Sequence, residues 1–335
     1  MMEYETFLNI ADIILRIKSN VTPEQDEEKT ACRYKNFLLN KSPKNIDIDL
    51  TLKVKPAYTR FNPEIIFETR RERVKRKGGS AGRRRKKARQ ADKLQKEKEK
   101  YMGKDLDWRI GKVGKNILLE GGASGSYQVL LEEDLKKGEA FIINSHTGWK
   151  ISDIVYGFLQ VFSIYYLAKY RLGIVLHSAG IKDGRNGYIF AGQSQAGKTT
   201  TSRIWDEAAG IKILNDDRVI IRKKSNRFFI YSTPWHGDFS DYLREPIQKA
   251  KLESLFFIYH NKENKAERLP SRESFKLFFQ TIFSSFWDKA CLQFTSEFLL
   301  DIIFSIPCYK FGFKNDERII DYVRQLTAAY INKNL

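Results

Sequence analysis

Cysteine is scarce in this chain: three residues, Cys32, Cys291 and Cys308, among 335. They lie far apart and are odd in number. That excludes a disulfide framework and a cysteine-type metal site, and it points to a reducing, cytoplasmic compartment. Long hydrophobic runs are missing too. The longest apolar stretch, Ile154 to Ala168, is uncharged but too short to span a bilayer. A buried helix capped by Ser152 or Asp153 is expected there. The opening residues, Met1-Met2-Glu3-Tyr4-Glu5, lack the basic region and apolar stretch of a secretory signal. No internal repeat is evident. These absences leave a globular protein with no membrane partner. Its apolar content of 42% is sufficient for a core, and its length allows two domains.

Negative charge is outnumbered, at 41 Asp/Glu against 59 Lys/Arg, and the formal net charge is +18. The excess is local. Arg70 to Lys100 holds sixteen Lys/Arg and four Asp/Glu, which is twelve of the eighteen net charges. This segment has no aromatic residue and few apolar ones, so it cannot bury enough surface to offset the entropy of ordering. Arg83 to Lys100 is dominated by Lys, Glu, Gln, Ala and Arg and suits a charged helix. We read 70–100 as a basic, flexible insertion. Counterion release would let it bind nucleic acid or another acidic partner. It lacks the interleaved aromatics that stack on bases, and a solvated loop is the plainer reading.

What the chain does have is a phosphate loop. Gly192-Gln193-Ser194-Gln195-Ala196-Gly197-Lys198-Thr199 fits G-x-x-x-x-G-K-[ST]. The apolar run 187–191 before it reads as a strand, and 200–209 after it reads as a helix. In that setting the glycines turn backbone N–H groups toward phosphate oxygens, and the helix adds its positive end. Lys198 would reach the β/γ-phosphates and the Thr199 hydroxyl would ligate Mg²⁺, with Thr200 next in the helix.

Two further features lie close by in sequence. Asn215-Asp216-Asp217 sits between two short strand signals. Adjacent carboxylates are costly unless a cation or proton holds them, and a nucleotide-bound Mg²⁺ is such a cation. One carboxylate would then serve the metal and the other would accept a proton from a hydroxyl. The competing reading is an ordinary Asn-Asp turn. Upstream, Gly173 to Ile181 reads as a strand. The turn residues 182–186 follow, and the chain returns into the phosphate loop. That hairpin would bring His177 near the loop. A lone His in an apolar strand is otherwise a core residue.

Taken in order, these pieces resemble the HPr kinase/phosphorylase catalytic domain and its relatives, which share a core with ATP-dependent phosphoenolpyruvate carboxykinase. The resemblance covers roughly 150–315. It extends to Ser232-Thr233-Pro234-Trp235-His236-Gly237-Asp238, like the family's Thr-Pro-x-x-Gly turn, and to Ile306–Phe313, like its late strand. It implies that His177 works with an Asp of the pair. On that basis Asp216 is expected as proton acceptor, aided by His177, and Asp217 as the metal-side carboxylate with Thr199. ATP and Mg²⁺ are the implied cofactors. The implied acceptor is a serine hydroxyl of a small molecule, a peptide or a phosphocarrier protein. Gln195 stands where HPr kinases usually carry a further glycine, and no Gly-rich, Arg-containing segment follows Asp217. The chemistry therefore carries over better than the substrate. A nucleotide-binding regulatory protein is the alternative, and a homo-oligomer stays open.

The expected fold class is α/β: a P-loop core of HPr kinase type with a mixed sheet, preceded by a smaller β-rich domain. Residues 1–69 and 101–149 form the β-rich domain around the insertion, and 150–335 the kinase-like domain. Strand signals lie at 46–52, 64–67, 108–111, 116–120, 127–131 and 140–143. Phe275, Phe278, Phe279, Ile282 and Phe283 recur at helical spacing, and 317–330 reads as a terminal helix.

Overall fold

The computed structural model describes residues 3–70, 106–121, 126–143, 148–193, 195–237, 239 and 249–334. Of the sequence features above, Ser194, Asp238 and all of the basic insertion after Arg70 lie outside the described residues. The chain is a mixed α/β protein with two large mixed sheets. It divides into two compact units, 1–34 with 38–162, and 35–37 with 163–335. Residues 150–162, read from the sequence with the second domain, group with the first unit.

The first unit is one eight-stranded sheet. Its strands are β1 (Tyr4–Ile10), β2 (Ile13–Ser19), β3 (Ile48–Lys55), β4 (Glu64–Arg70), β5 (Leu106–Val113), β6 (Asn116–Gly121), β7 (Ser126–Leu131) and β8 (Lys137–Ile143). Their spatial order is β1-β2-β3-β8-β7-β6-β5-β4. Apolar residues alternate as a half-buried strand requires: Ile13, Leu15 and Ile17 on β2, and Ile48, Leu50 and Leu52 on β3, are buried. The strands β3 and β4 are consecutive in sequence yet bracket the block β8-β7-β6-β5. Their connection is tied down by Gln128 of β7. Its amide accepts from Thr59 N at 2.7 Å and donates to Thr59 O at 2.8 Å. Gln128 also donates to the buried Glu120, which takes Arg109 Nε at 2.7 Å. A buried carboxylate is tolerable only when paired in this way.

The run 154–168 is not one helix. It forms α2 (Ile151–Val155) and α3 (Leu159–Lys169), with α1 (Glu28–Ala31) earlier in the chain. The N-cap of α2 is Lys150, whose N–H donates to the Asp153 carboxylate at 2.7 Å. Ser152 instead turns its hydroxyl to Asp26. The break between the helices lets Phe158 bury fully, with its ring 5.8 Å from that of Tyr127.

The second unit carries β9 (Gly173–Asp183), β10 (Asn186–Ala191), β11 (Ile211–Asn215), β12 (Arg218–Lys224), β13 (Arg227–Tyr231), β14 (Lys249–His260), β15 (Lys265–Arg268), β16 (Ile282–Phe283) and β17 (Cys308–Phe313). Pairing runs β9–β10–β14–β13–β12 and back to β9, a closed ring. On its C-terminal half β14 also pairs with β17 in parallel. The helices are α4 (Lys198–Asp206), α5 (Ser271–Phe279), α6 (Lys289–Ser305) and α7 (Arg318–Asn334). One core cluster joins Trp205 of α4 and Ile319 and Val323 of α7 to Tyr188, Phe190, Phe256 and Phe311 of the sheet. Phe256 stacks between Phe190 at 5.1 Å and Tyr309 at 5.4 Å. The helical spacing of 275–283 is broken after Phe279. Ile282 and Phe283 pair with Leu176 and Val175 of β9, so backbone ladder bonds prevail over the side-chain period. Among the described residues, no helix is long and apolar enough to cross a membrane.

Arg70, the last described residue before the insertion, is the register partner of Leu106, the first after it. The chain therefore leaves and re-enters at adjacent positions of the β4–β5 pair. Replacing 71–105 with a four-residue Gly/Ser linker should leave the fold intact. Shortening the loop from about 35 to about 4 residues lowers closure entropy by about 2 kcal/mol, so the melting temperature should hold or rise. Calorimetry on the deletion variant checks this; a drop in Tm would show that the segment supports the sheet.

Candidate active site

β9 and β10 form a hairpin with a two-residue loop, in which Gly184 has φ 59°. The register places Ala191 opposite Ser178, so the Gly192–Thr199 loop leaves β10 level with His177 of β9. In the loop, Gln195 (φ 66°) and Gly197 (φ 100°) take left-handed backbone on either side of Ala196. Such alternation gathers successive N–H groups on one side. Gly197 is required for two reasons: that φ, and a close approach in which a Cβ would stand 2.5 Å from the Phe313 ring. Thr201 N is bonded to Gly197 O at 2.8 Å. The N–H groups of Lys198, Thr199 and Thr200 precede it in the first turn, and the N-cap, Gly197, has no side chain to bond them. They form a cradle suited to an anion.

Lys198 is buried and folded back on the loop. Its Nζ donates to Gly192 O at 3.1 Å and Gln193 O at 3.3 Å. Burial draws its pKa below the ordinary lysine value, against the upward pull of Asp217 and Asp216. The cleft beside it has a volume of ≈ 420 Å³. One side is formed by Gln195, Gly197, Lys198, Thr199 and Thr200. The same cleft is lined by His177, Asp216, Asp217 and Gly237, and by His260, which packs against the loop at Gly197. Of the expected phosphate-binding residues, Gly192 and Gln193 contribute carbonyls to Lys198 rather than cleft wall.

The two carboxylates are held in different ways. Asp216 is almost fully buried, and each oxygen accepts one backbone N–H: Oδ1 from Gly237 at 2.8 Å and Oδ2 from Phe239 at 3.0 Å. A Cβ at Gly237 would come within 2.8 Å of Asp216 Oδ2, so this approach needs glycine. Asp217 has 21% of its side-chain surface exposed. Its Oδ1 lies 2.9 Å from His177 Nε2, and its Oδ2 pairs with Arg218. The structure thus sets His177 against Asp217, whereas the sequence reading coupled it to Asp216. Burial alone would raise the Asp217 carboxyl. The hydrogen bond from His177 and the charges of Arg218, His177 and Lys198 outweigh it, and the group lies below the ordinary aspartate value.

Several residues with no role in the sequence reading complete the site. Asn215, fully buried, accepts from Asp217 N at 2.8 Å and Arg218 N at 2.7 Å, and its Nδ2 donates to Thr233 O and Oγ1, both at 3.0 Å. Thr233 Oγ1 donates to Arg218 O at 2.6 Å. The Thr-Pro segment is therefore the clamp on the Asp-Asp turn, and its Gly237 is the donor to Asp216. His177 N–H donates to Thr281 O at 2.7 Å, and the His177 ring lies 5.9 Å from Phe283. His260 arrives on the end of β14, which lies beside β10. No local sequence pattern marks it.

Among the described residues, no group of three or more His, Cys, Asp or Glu side chains gathers as a metal cage. The oxygen donors on hand are the Thr199 hydroxyl and the two carboxylates, a hard set that suits Mg²⁺ held jointly with phosphate oxygens. No family model matches the chain, and no curated protein matches it. Among solved structures, it is similar to the HPr(Ser) kinase/phosphatase from Coxiella burnetii over 48% of this chain and 96% of that one, at 9% identity and a TM-score of 0.29. At that score the likeness carries no weight, and the functional reading stands on the cleft itself.

The His177–Asp217 pair has a consequence for stability. A carboxyl whose folded pKa is depressed binds fewer protons folded than unfolded, so stability rises with pH across that window. Asp217 therefore contributes above the unfolded value near pH 4, and its contribution is lost as pH falls through its lower folded pKa. Asp217→Asn should lower stability at pH 7 and fall less steeply below about pH 4. Urea titrations of both proteins at pH 7, 4 and 3 would reveal it; parallel acid limbs would contradict the pairing.

Proposed function

We propose that this protein is a phosphotransferase of HPr kinase type that moves the terminal phosphate of ATP, with Mg²⁺, onto a hydroxyl. The observation that carries the proposal is the cleft in which an uncapped Gly-Lys-Thr-Thr helix start faces a His177–Asp217 pair and a second, buried carboxylate. A protein that only sensed nucleotide would have no need of a proton-accepting pair opposite the phosphate cradle.

The loop amides and the first turn of α4 would hold the phosphate chain, and Lys198 would leave the Gly192 and Gln193 carbonyls to reach it. That exchange costs little, because a partly desolvated ammonium gains more from a phosphate oxygen than from two neutral carbonyls. Thr199 and Asp216 would hold the metal side. Asp216 is fixed by two backbone donors, which hold its carboxylate in one orientation. Mg²⁺ bound there would neutralise charge developing on the phosphoryl oxygens.

We assign the acceptor side to Asp217 and His177. Both are open to solvent, from which an acceptor must come, with 21% and 39% of their side chains exposed, whereas Asp216, though it lines the cleft, is only 2% exposed. Asp217 orients the imidazole, and the pair takes the hydroxyl proton as the new bond forms. This reverses the division of labour expected between the two aspartates. Serine, as a free amino acid or within a peptide or protein, is the acceptor class that we favour.

Lys198→Ala removes a charge-assisted contact worth about 1.5–3 kcal/mol, so calorimetry should show Mg·ATP affinity at least tenfold weaker. Unchanged affinity in a folded variant would remove the basis for the proposal. The two aspartates should separate kinetically. Asp217→Asn should retain ATP binding and lose roughly 10²-fold in turnover, the scale of general-base effects. Asp216→Asn should instead raise the Mg²⁺ concentration needed for half-maximal rate. Phosphate transfer from labelled ATP to serine and to candidate peptides is the assay. The opposite pattern would restore Asp216 as the base.

A further inference from the structure

β10, the strand that feeds the Gly192–Thr199 loop, has a neighbour on each edge, β9 antiparallel and β14 parallel. Each neighbour brings one histidine to the cleft. On β9, His177 is one position from Ser178, the register partner of Ala191 at the end of β10. On β14 the partner of Ala191 is Phe257, and His260 comes three positions later. At a strand rise of about 3.3 Å that is roughly 10 Å further along. β14 runs in the direction of β10, so it carries His260 past the end of β10 and alongside the loop.

The loop packs down on this extension of β14. A Cβ on Gly192 would stand 3.0 Å from Ile258 O, and one on Gly197 would stand 3.0 Å from His260 Cε1. Cε1 is bonded to both ring nitrogens, so the polar edge of the imidazole is the edge next to the loop. The ring is held by Phe313, its register partner on β17, with centroids 5.1 Å apart. His260 is nonetheless exposed, and it lines the cleft with Lys198, Thr199 and Thr200. Among the described residues, no hydrogen bond or ion pair takes its nitrogens. His177 differs: its Nε2 is committed to Asp217 at 2.9 Å.

We propose that His260 serves the leaving side of the phosphoryl transfer, donating a ring N–H to phosphate oxygens that ADP keeps. The proposal rests on the kinase reading above. In-line transfer sets the entering and leaving oxygens on opposite sides of the phosphorus. With the acceptor at His177 and Asp217, on the β9 side of the loop, the diphosphate departs on the β14 side, where His260 stands. As the acceptor oxygen bonds to phosphorus, its proton passes to the Asp217–His177 pair. The bond from phosphorus to the β/γ-bridging oxygen breaks, and its electron pair stays on ADP. A placed N–H meets the charge that grows there. Among the described lining residues Lys198 is the one lysine or arginine, so a further donor has charge left to meet.

The probes are Mg·ADP and Mg·ATP, titrated calorimetrically into the full chain. His260→Phe keeps a ring against Phe313 and removes the donor, whereas His260→Gln keeps an N–H and removes the ring. His260→Phe should weaken both nucleotides about tenfold, the scale of a hydrogen bond to a charged group, and His260→Gln should stay within about threefold of the parent. His260→Ala serves if the phenyl ring disturbs the loop. Equal losses for ADP and ATP would place the contact on the phosphates that both share. A loss with ATP alone would move His260 to the terminal phosphate and overturn the leaving-side assignment. Equal weakening by Phe and Gln would reduce the ring to packing and overturn it as well. Unchanged affinities in His260→Phe, with Lys198→Ala still weakening both nucleotides, would refute the role of His260 alone. Unchanged affinities in Lys198→Ala would instead bring down the kinase reading itself.

Discussion

Two neighbouring carboxylates repel each other and lose hydration when a strand end carries them into a fold. The second unit is arranged around that difficulty. The fully buried Asn215 amide grips the backbone of Asp217 and Arg218 at one end and Thr233 at the other. The turn it fixes sends Asp216 and Asp217 to different partners, one to backbone N–H groups and one to imidazole and guanidinium. Of the two, Asp217 is held charged by its neighbours, the His177 bond and the Arg218 and Lys198 charges outweighing its burial.

The closed ring of strands makes this arrangement stiff. The loop follows β10, His177 sits on β9, and the two aspartates lie between β11 and β12. All but β11 belong to the ring, and β11 is laddered to β9. A shift of the loop against the carboxylates would have to break ladder bonds on several strands together. The proposed phosphoryl transfer would depend mainly on positioning and electrostatics, and a ring would supply position at little conformational cost. The helices α4 and α7 pack their apolar residues, Trp205 and Ile319, Ile320 and Val323, onto the aromatic cluster of the sheet.

Features set by local chemistry were legible in the sequence. The turn between β9 and β10 and the Asn-Asp-Asp turn each fit within a few residues, and the hairpin that levels His177 with the Gly192–Thr199 loop follows from turn residues alone. Features set by distant pairing were not. His260 enters on a strand whose place is fixed by β10 and β17. The bond from Gly237 to Asp216 spans residues far apart in the chain, and so does the His177 contact with Thr281. An apolar run and a periodic stripe misled. The uncharged run 154–168 hides a break at which Phe158 buries against Tyr127, and the 275–283 stripe ends in two residues that serve β9 rather than a helix. The choice of Asp217 over Asp216 as the partner of His177 turns on the direction of two adjacent side chains, which adjacency alone does not encode.

The order of strands in the first unit has one more consequence. Residues up to Arg70 supply both flanks of the sheet, β1-β2-β3 on one side and β4 on the other, and residues from Leu106 onward supply everything between. The N-terminal piece therefore grips the remainder like the two jaws of a clip, through the β3–β8 and β4–β5 ladders. The covalent link between them is the Lys/Arg-rich segment, dense with sites for trypsin-like proteases. A cut there would part the chain without parting the sheet. The two pieces are thus joined by hydrogen-bonded ladders on both flanks as well as by the chain itself.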